Sequence, residues 1–178
     1  MLHIMHDIET LDTKTSAVVL SIGAVKFDKN GIYDRINFRL NLNDQSYRTI
    51  SASTVQWWMQ QSEAARNAVS TPEPTRLAIT LSTLGEWYRR DSIAGVWGNG
   101  AMFDNAIILD LYEKAGLPRP WSYKVDRCYR TLRAVAEMHP LVDIDYVRPT
   151  TAHDALADAV AQAENAIKML GILNAWEY

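Results

Sequence analysis

Ala17-Val18-Val19-Leu20-Ser21-Ile22-Gly23-Ala24-Val25-Lys26-Phe27, closed by Asp28-Lys29-Asn30-Gly31, is the stretch that decides the fold. Its β-branched and apolar residues read as a strand, and Asn30-Gly31 is a hairpin-turn signature. Downstream, residues 32–42 resume apolar–polar alternation through Ile36, Phe38, Leu40 and Leu42. Upstream, residues 2–8 carry the apolar run His3-Ile4-Met5-His6 and read as a first strand. Together the three make an antiparallel meander.

Helices and strands then alternate. Ser51 or Ser53 caps a helix carrying Val55, Trp58 and Met59. A short helical piece over 62–69 is broken by Thr71-Pro72-Glu73-Pro74. A helix over 75–90 shows Leu77, Leu81, Leu84 and Tyr88 at helical spacing. Residues 93–97 form a short buried strand, followed by Gly98-Asn99-Gly100. A helix over 104–115 stops at Gly116, with Pro118 beyond. The pattern next predicts a last short strand at 122–125, a helix at 129–138 and a polar loop over 142–151. A long helix over 154–170 stops at Gly171. The expected fold class is α/β: a mixed β-sheet, three-strand antiparallel meander plus parallel strands, flanked by helices. The whole of 1–178 reads as a single domain. Its crossover loops gather at one sheet edge, where α/β proteins bind ligands.

Composition narrows the function classes. At 48% apolar and 22% charged, the chain is ordinary globular protein. The single cysteine, Cys128, excludes an intramolecular disulfide and fits a reducing compartment. No apolar stretch has the length of a membrane span, and residues 1–7 lack the features of a signal peptide. These features lead to an expected cytoplasmic location and no membrane partner. A net charge of −3 argues against tight non-specific coating of nucleic acid. It says little about a cleft that takes in one chain end.

The chemistry-bearing residues sit at the expected sheet edge. Asp7 and Glu9 flank Ile8, so on a strand both carboxylates face one side. Two buried, ionised acids repel, and divalent cations with a taste for hard oxygen ligands, Mg²⁺ or Mn²⁺, offset that. Asp104 follows Trp97-Gly98-Asn99-Gly100-Ala101-Met102-Phe103 at a strand–loop–helix junction, where it can also serve as an N-cap. His153 precedes Asp158 by five residues, about 1.4 turns, so the two do not stack on one ideal helix face. Both reach one site if His153 lies where the helix begins. Small residues at 152, 155, 157 and 159 let that helix pack close to the strands.

In these motifs the chain resembles the DEDD (DnaQ-like) superfamily of 3′–5′ exonucleases, in its histidine branch. The resemblance rests on Asp7-Ile8-Glu9-Thr10-Leu11 with Ser21-Ile22-Gly23-Ala24-Val25, on Trp97 through Asp104, and on Ala152-His153-Asp154-Ala155-Leu156-Ala157-Asp158-Ala159. Trp57-Trp58 and Arg130-Thr131 look most like a small bacterial and phage group, exonuclease VIII-like, that includes a mycobacterial 3′ exoribonuclease. The resemblance implies a ribonuclease H-like sheet and hydrolysis of single-stranded RNA or DNA from the 3′ end, releasing nucleoside 5′-monophosphates. It implies two divalent cations, Mg²⁺ or Mn²⁺, clamping the attacking and leaving oxygens. In that scheme Asp7 bridges the ions, Glu9 and Asp158 hold the ion nearer the water, and Asp104 serves the other. His153 would be the general base, because imidazole exchanges protons near neutral pH. RNA is favoured over DNA by the subgroup. A catalytically silent nucleic-acid-binding module with the same fold is the alternative, and the filled catalytic positions argue against it. Small members of the superfamily often pair, which makes a homodimer an expectation as well.

Substrate contacts are assigned more loosely. The resemblance implies that Thr10 and Leu11, which follow the first acids, contact the terminal nucleotide, with Leu11 as an apolar wedge beside a base; the residues alone read Leu11 as core. Trp57 and Trp58 diverge by about 100° on a helix; Trp57 is taken as the exposed one, free to stack on a base. Phe103 is a second stacking candidate, with a core role as the alternative. Asn99 bonds substrate or shapes its turn. Arg127, Arg130 and Arg133 make a basic group that either contacts phosphate, Arg130 first, or faces solvent. His6 points away from Asp7 as a core histidine. Asp12 and Asp154 are extra acids near the motifs, and Asp110 and Asp126 read as structural or solvated.

Overall fold

The computed structural model describes residues 1–139 and 144–176. Strands β1 (Leu2–Thr10), β2 (Val19–Asp28) and β3 (Gly31–Arg39) form the meander; helices α1 (Ala52–Met59), α2 (Glu63–Val69) and α3 (Leu77–Arg89) follow. Then come β4 (Ile93–Gly98), α4 (Asp104–Lys114), β5 (Asp126–Cys128), α5 (Tyr129–Glu137) and α6 (Ala155–Ile172). The sheet order is β3-β2-β1-β4-β5. β1–β2 and β2–β3 pair antiparallel, whereas β4 and β5 join parallel. This is the expected mixed sheet.

Helices cover both faces, so β1 is buried on both sides and its alternation sorts residues between two cores. Ile4 and Ile8 face Leu81, Leu84, Ile107, Ile108 and Leu111 of α3 and α4. Met5 faces the other way, into Ala159, Ala163, Ala166 and Met169 of α6. Period two then puts Asp7 and Glu9 on the α6 side. His6, on the α3–α4 side, is fully buried, and its Nδ1 and Nε2 meet Tyr88 Oη at 2.5 Å and Asn105 Oδ1 at 2.9 Å. Burial first of all lowers its pKa to about 4. It is a satisfied core histidine, as expected.

The position of α6 is set by Gly23. A Cβ there would lie 2.2–2.5 Å from the backbone of Ala155 and Leu156. Glycine therefore lets the start of α6 touch β2 directly, at the residue paired with Asp7.

Among the boundaries that differ from the sequence reading, β1 runs on to Thr10, β3 ends at Arg39 with Leu42 in a 3₁₀ turn, and two others have a clear local cause. Residues 122–125 do not form the last strand. Ser122 accepts from the Lys124 N–H, Tyr123–Val125 tightens into a 3₁₀ turn, and pairing with β4 begins only at Asp126. Asp126 is fixed there by Trp121, Arg119 and Asn105. Nor does Gly171 stop α6, which runs on to Ile172; Asn174, at φ 51°, takes the left-handed position beyond it. Gly116, at φ 66°, does end α4 as expected. Of the expected polar loop over 142–151, residues 142 and 143 lie outside the described residues.

Candidate active site

Asp7, Glu9 and Asp158 converge. Each offers a carboxylate oxygen, and the three oxygens lie within 4.8 Å of one another. Asp7 and Glu9 come from the end of β1, which extends through Thr10, and Asp158 from the first turn of α6. Asp154 caps that helix: its Oδ1 accepts from the N–H groups of Leu156 and Ala157 at 3.0 and 3.1 Å. One of the two extra acids thus has a structural task. The other, Asp12, accepts from the Thr13 N–H at 2.7 Å within its loop.

His153 stands just ahead of α6 with φ 62°, in the left-handed region. That backbone is uncommon for a non-glycine residue and removes the helical-spacing problem, because His153 is not on the helix at all. Its Nδ1 lies 3.9 Å from Glu9 Oε1. Its ring packs edge-on to Trp57 and Trp58, at centroid distances of 4.8 and 6.1 Å.

Asp104 reaches the same place from the other side of β1. It is the first residue of α4, and Phe103, not Asp104, occupies the N-cap position. The Gly100–Phe103 turn begins the helix one residue early, with Phe103 N–H donating to Gly100 O at 2.7 Å. The Asp104 carboxylate turns back to accept from Gly100 N–H at 3.0 Å. Gly98 permits this, since a Cβ there would sit 2.7 Å from Asp104 Cβ.

A recess of about 240 Å³ joins these side chains: Asp7, Glu9, Asp104, His153 and Asp158 line it together with Ile8, Asn99, Phe103, Arg130 and Gln162. Burial, then the neighbouring Asp104, Glu9 and Asp158, raise the Asp7 pKa well above the usual carboxylate range. Glu9 is pushed up to about 8 by burial and then by Asp158 and Asp104. Burial takes Asp104 to about 6 against the pull of the Gly100 N–H and Arg130, and it raises Asp158 as well. Four acids that resist ionising together are a donor set suited to hard divalent cations, whose charge would offset the repulsion. The residues fit such a metal.

A second, mostly apolar cleft of about 360 Å³ adjoins the recess and shares Ile8, Glu9 and Phe103 with it. Thr10, Asp12, Thr13, Ser53, Thr54, Trp57 and Trp58 complete its wall. Trp57 is 41% exposed and Trp58 only 6%. Trp58 is anchored, donating from Nε1 to Thr10 O at 2.9 Å. Thr10 Oγ1 donates to Asp12 O at 2.6 Å. Leu11 packs sideways with Leu20, Trp58 and Ala65. Of the three arginines, Arg130 lines the recess. Arg127 donates to the carbonyls of Lys124 and Asp126, and Arg133 pairs with Glu137. Asp110 pairs with Arg48 at 2.7 Å, a structural role as expected.

Sequence reading missed Gln162, whose Nε2 donates to Asp7 Oδ1 at 2.9 Å. The signal was its spacing: it follows Asp158 by four residues, on the same helix face.

The sequence matches the Rv2179c-like 3′–5′ exoribonuclease domain over residues 2–170. The chain belongs to that family. A curated relative, the exodeoxyribonuclease of Enterobacteria phage T4, is 26% identical over 120 residues, covering 59% of this chain and 53% of the phage protein. The chain thus spans about half the length of that relative. E. coli Exonuclease I in complex with a dT13 oligonucleotide superposes at a TM-score of 0.72 and 16% identity, covering 98% of this chain and 43% of that one. The nuclease domain of 3′hExo, a DEDDh family member bound to rAMP, superposes at 0.62 and 11% identity over 96% of this chain and 92% of that one. These two likenesses establish a shared fold, the ribonuclease H-like sheet of the DEDD exonucleases. Among the described residues, no helix is long and apolar enough to cross a membrane.

Proposed function

We propose that residues 1–178 form one 3′–5′ exonuclease domain that hydrolyses single-stranded nucleic acid from its 3′ end and releases nucleoside 5′-monophosphates. The observation that carries this reading is the approach of Asp7, Glu9 and Asp158 to within 4.8 Å, with His153 beside Glu9. Asp7, Glu9, Asp104 and Asp158 would hold two divalent cations, Mg²⁺ or Mn²⁺. Bound there, the cations supply charge neutralisation and a more acidic water for in-line displacement at phosphorus.

The chain's own residues supply the rest. His153 takes the proton of the attacking water, its ring held against Trp57 and Trp58. The adjoining cleft receives the terminal nucleoside, whose base stacks on Trp57 and Phe103. Thr10 contributes to the wall of that cleft, Leu11 supports it from behind by packing on Trp58, and Asn99 bonds the substrate at the recess. Arg130, on the recess wall, faces the phosphate. RNA is favoured, because the family is one of exoribonuclease domains, although the phage relative is an exodeoxyribonuclease. A cytoplasmic location fits the single Cys128. A homodimer is the proposed assembly, and sedimentation velocity measures it.

End-labelled RNA and DNA oligonucleotides, incubated with Mn²⁺ and then with chelator, test the reading. A ladder growing from the 3′ end that chelator silences is expected. Oligonucleotide binding without cleavage in Mn²⁺ would leave only a silent binding module.

A further inference from the structure

Gln162 is 8% exposed, lies one turn beyond Asp158 on α6, and borders the recess. One end of its amide is engaged, with Nε2 donating to Asp7 Oδ1 at 2.9 Å. The other end is not: Oε1 is buried and has no hydrogen-bond partner among the described residues. Turning the amide over does not resolve this. A metal-binding carboxylate must be ionised, and an ionised carboxylate accepts hydrogen bonds only, so the carbonyl cannot face it. The orientation with Nε2 on Asp7 is the one compatible with a loaded site. A buried carbonyl without a donor is costly, and here it lies beside the cluster that fits a hydrated cation.

We propose that Gln162 is a positioning residue for the metal centre. Its Nε2–H fixes the Asp7 carboxylate and leaves the remaining lone pairs of that group for the cation. Its Oε1 is the acceptor for a water of the cation's hydration shell. Loss of a group that orients a metal ligand in this way typically costs about 10–100-fold in metal affinity. This inference rests on the metal-dependent reading above and names a residue that reading does not require.

Titration calorimetry with Mn²⁺, in the absence of nucleic acid, tests it. Gln162→Met removes both amide functions at similar length. Gln162→Asn keeps the amide but draws it back by one methylene, and carries the test alone if the first variant does not fold. Asp7→Asn serves as reference. Both Gln162 variants are expected to bind Mn²⁺ about 10–100-fold more weakly than the wild type. Wild-type Mn²⁺ affinity in either folded variant would overturn the proposal. Absence of Mn²⁺ binding by the wild type, or binding unchanged in Asp7→Asn, would instead defeat the metal-dependent reading itself.

Discussion

The imidazole of His153 stands edge-on to the indole of Trp57, with ring centroids 4.8 Å apart and planes at 80°. Its other flank approaches Glu9, Nδ1 to Oε1 at 3.9 Å. His153 sits at φ 62°, outside α6, and its ring packs between the Trp57–Trp58 pair and Glu9. Trp57 therefore links the apolar cleft, which it lines, to His153 in the recess.

His153→Ala should lower kcat by about 10²–10⁴-fold, the usual loss of a general base, without weakening Mn²⁺ binding. Trp57→Leu should raise KM, since a base–aromatic stack is worth about 1–3 kcal/mol, and should also lower kcat by freeing the imidazole. Steady-state kinetics on a short oligonucleotide separate the two parameters. Unchanged kcat in His153→Ala at neutral pH would remove that residue from the mechanism.

Gly23→Ala should damage both stability and turnover. The added Cβ meets the Ala155–Leu156 backbone at 2.2–2.5 Å, so α6 must move and carry Asp158 away from β1. Overpacking of this kind costs about 1–3 kcal/mol. Thermal melts and activity measured together check it, and a variant as stable and active as the wild type would contradict the packing described.

Metal-free stability should fall as pH rises. Glu9 titrates near 8 and Asp104 near 6 in the folded chain, each above its ordinary carboxylate range. The folded state thus holds protons that the unfolded state has released. The contribution of these groups is complete below the unfolded carboxylate pKa of about 4 and is lost as pH climbs through about 8. The melting temperature of metal-free protein should drop between pH 5 and 8.5 in this way, and excess Mn²⁺ should restore it. A steady rise over that range without metal would be the wrong sign.

Asp7→Asn should abolish hydrolysis while leaving the metal-free protein as stable as the wild type or more so. It removes a charge that burial, Asp104, Glu9 and Asp158 all oppose. Melting curves with and without Mn²⁺ check this, and the gain from the ion should shrink in the variant. Strong destabilisation without metal would mean that the carboxylate supports the fold in a way its neighbours do not reveal.

Much of the site was legible because strand periodicity is strict. Ile4, His6 and Ile8 had to share one face of β1, which left Asp7 and Glu9 on the other. Asp104 was legible from its strand–loop–helix setting, although its carboxylate serves Gly100 and not a cap position. The relation of His153 to Asp158 was only half legible, since a left-handed backbone at a histidine leaves no mark in composition. Three-residue β5 was set one turn too early because its pairing with β4 is a tertiary event, and Ser122 closes a local turn first. Gly171 misled for a related reason: α6 continues past it, and the left-handed position fell to Asn174. The carboxamide of Gln162 passed unnoticed because, on sequence alone, glutamine near the middle of an alanine-rich helix has no distinguishing chemistry.

Diffraction from crystals grown with Mn²⁺ and a cleavage-resistant oligonucleotide, recorded at the manganese absorption edge, tests the central claim most directly. Anomalous peaks are expected within ligand distance of Asp7, Glu9 and Asp158, with the 3′ nucleoside against Trp57 and Phe103. Manganese bound elsewhere, with those three carboxylates unligated beside a seated oligonucleotide, would contradict it.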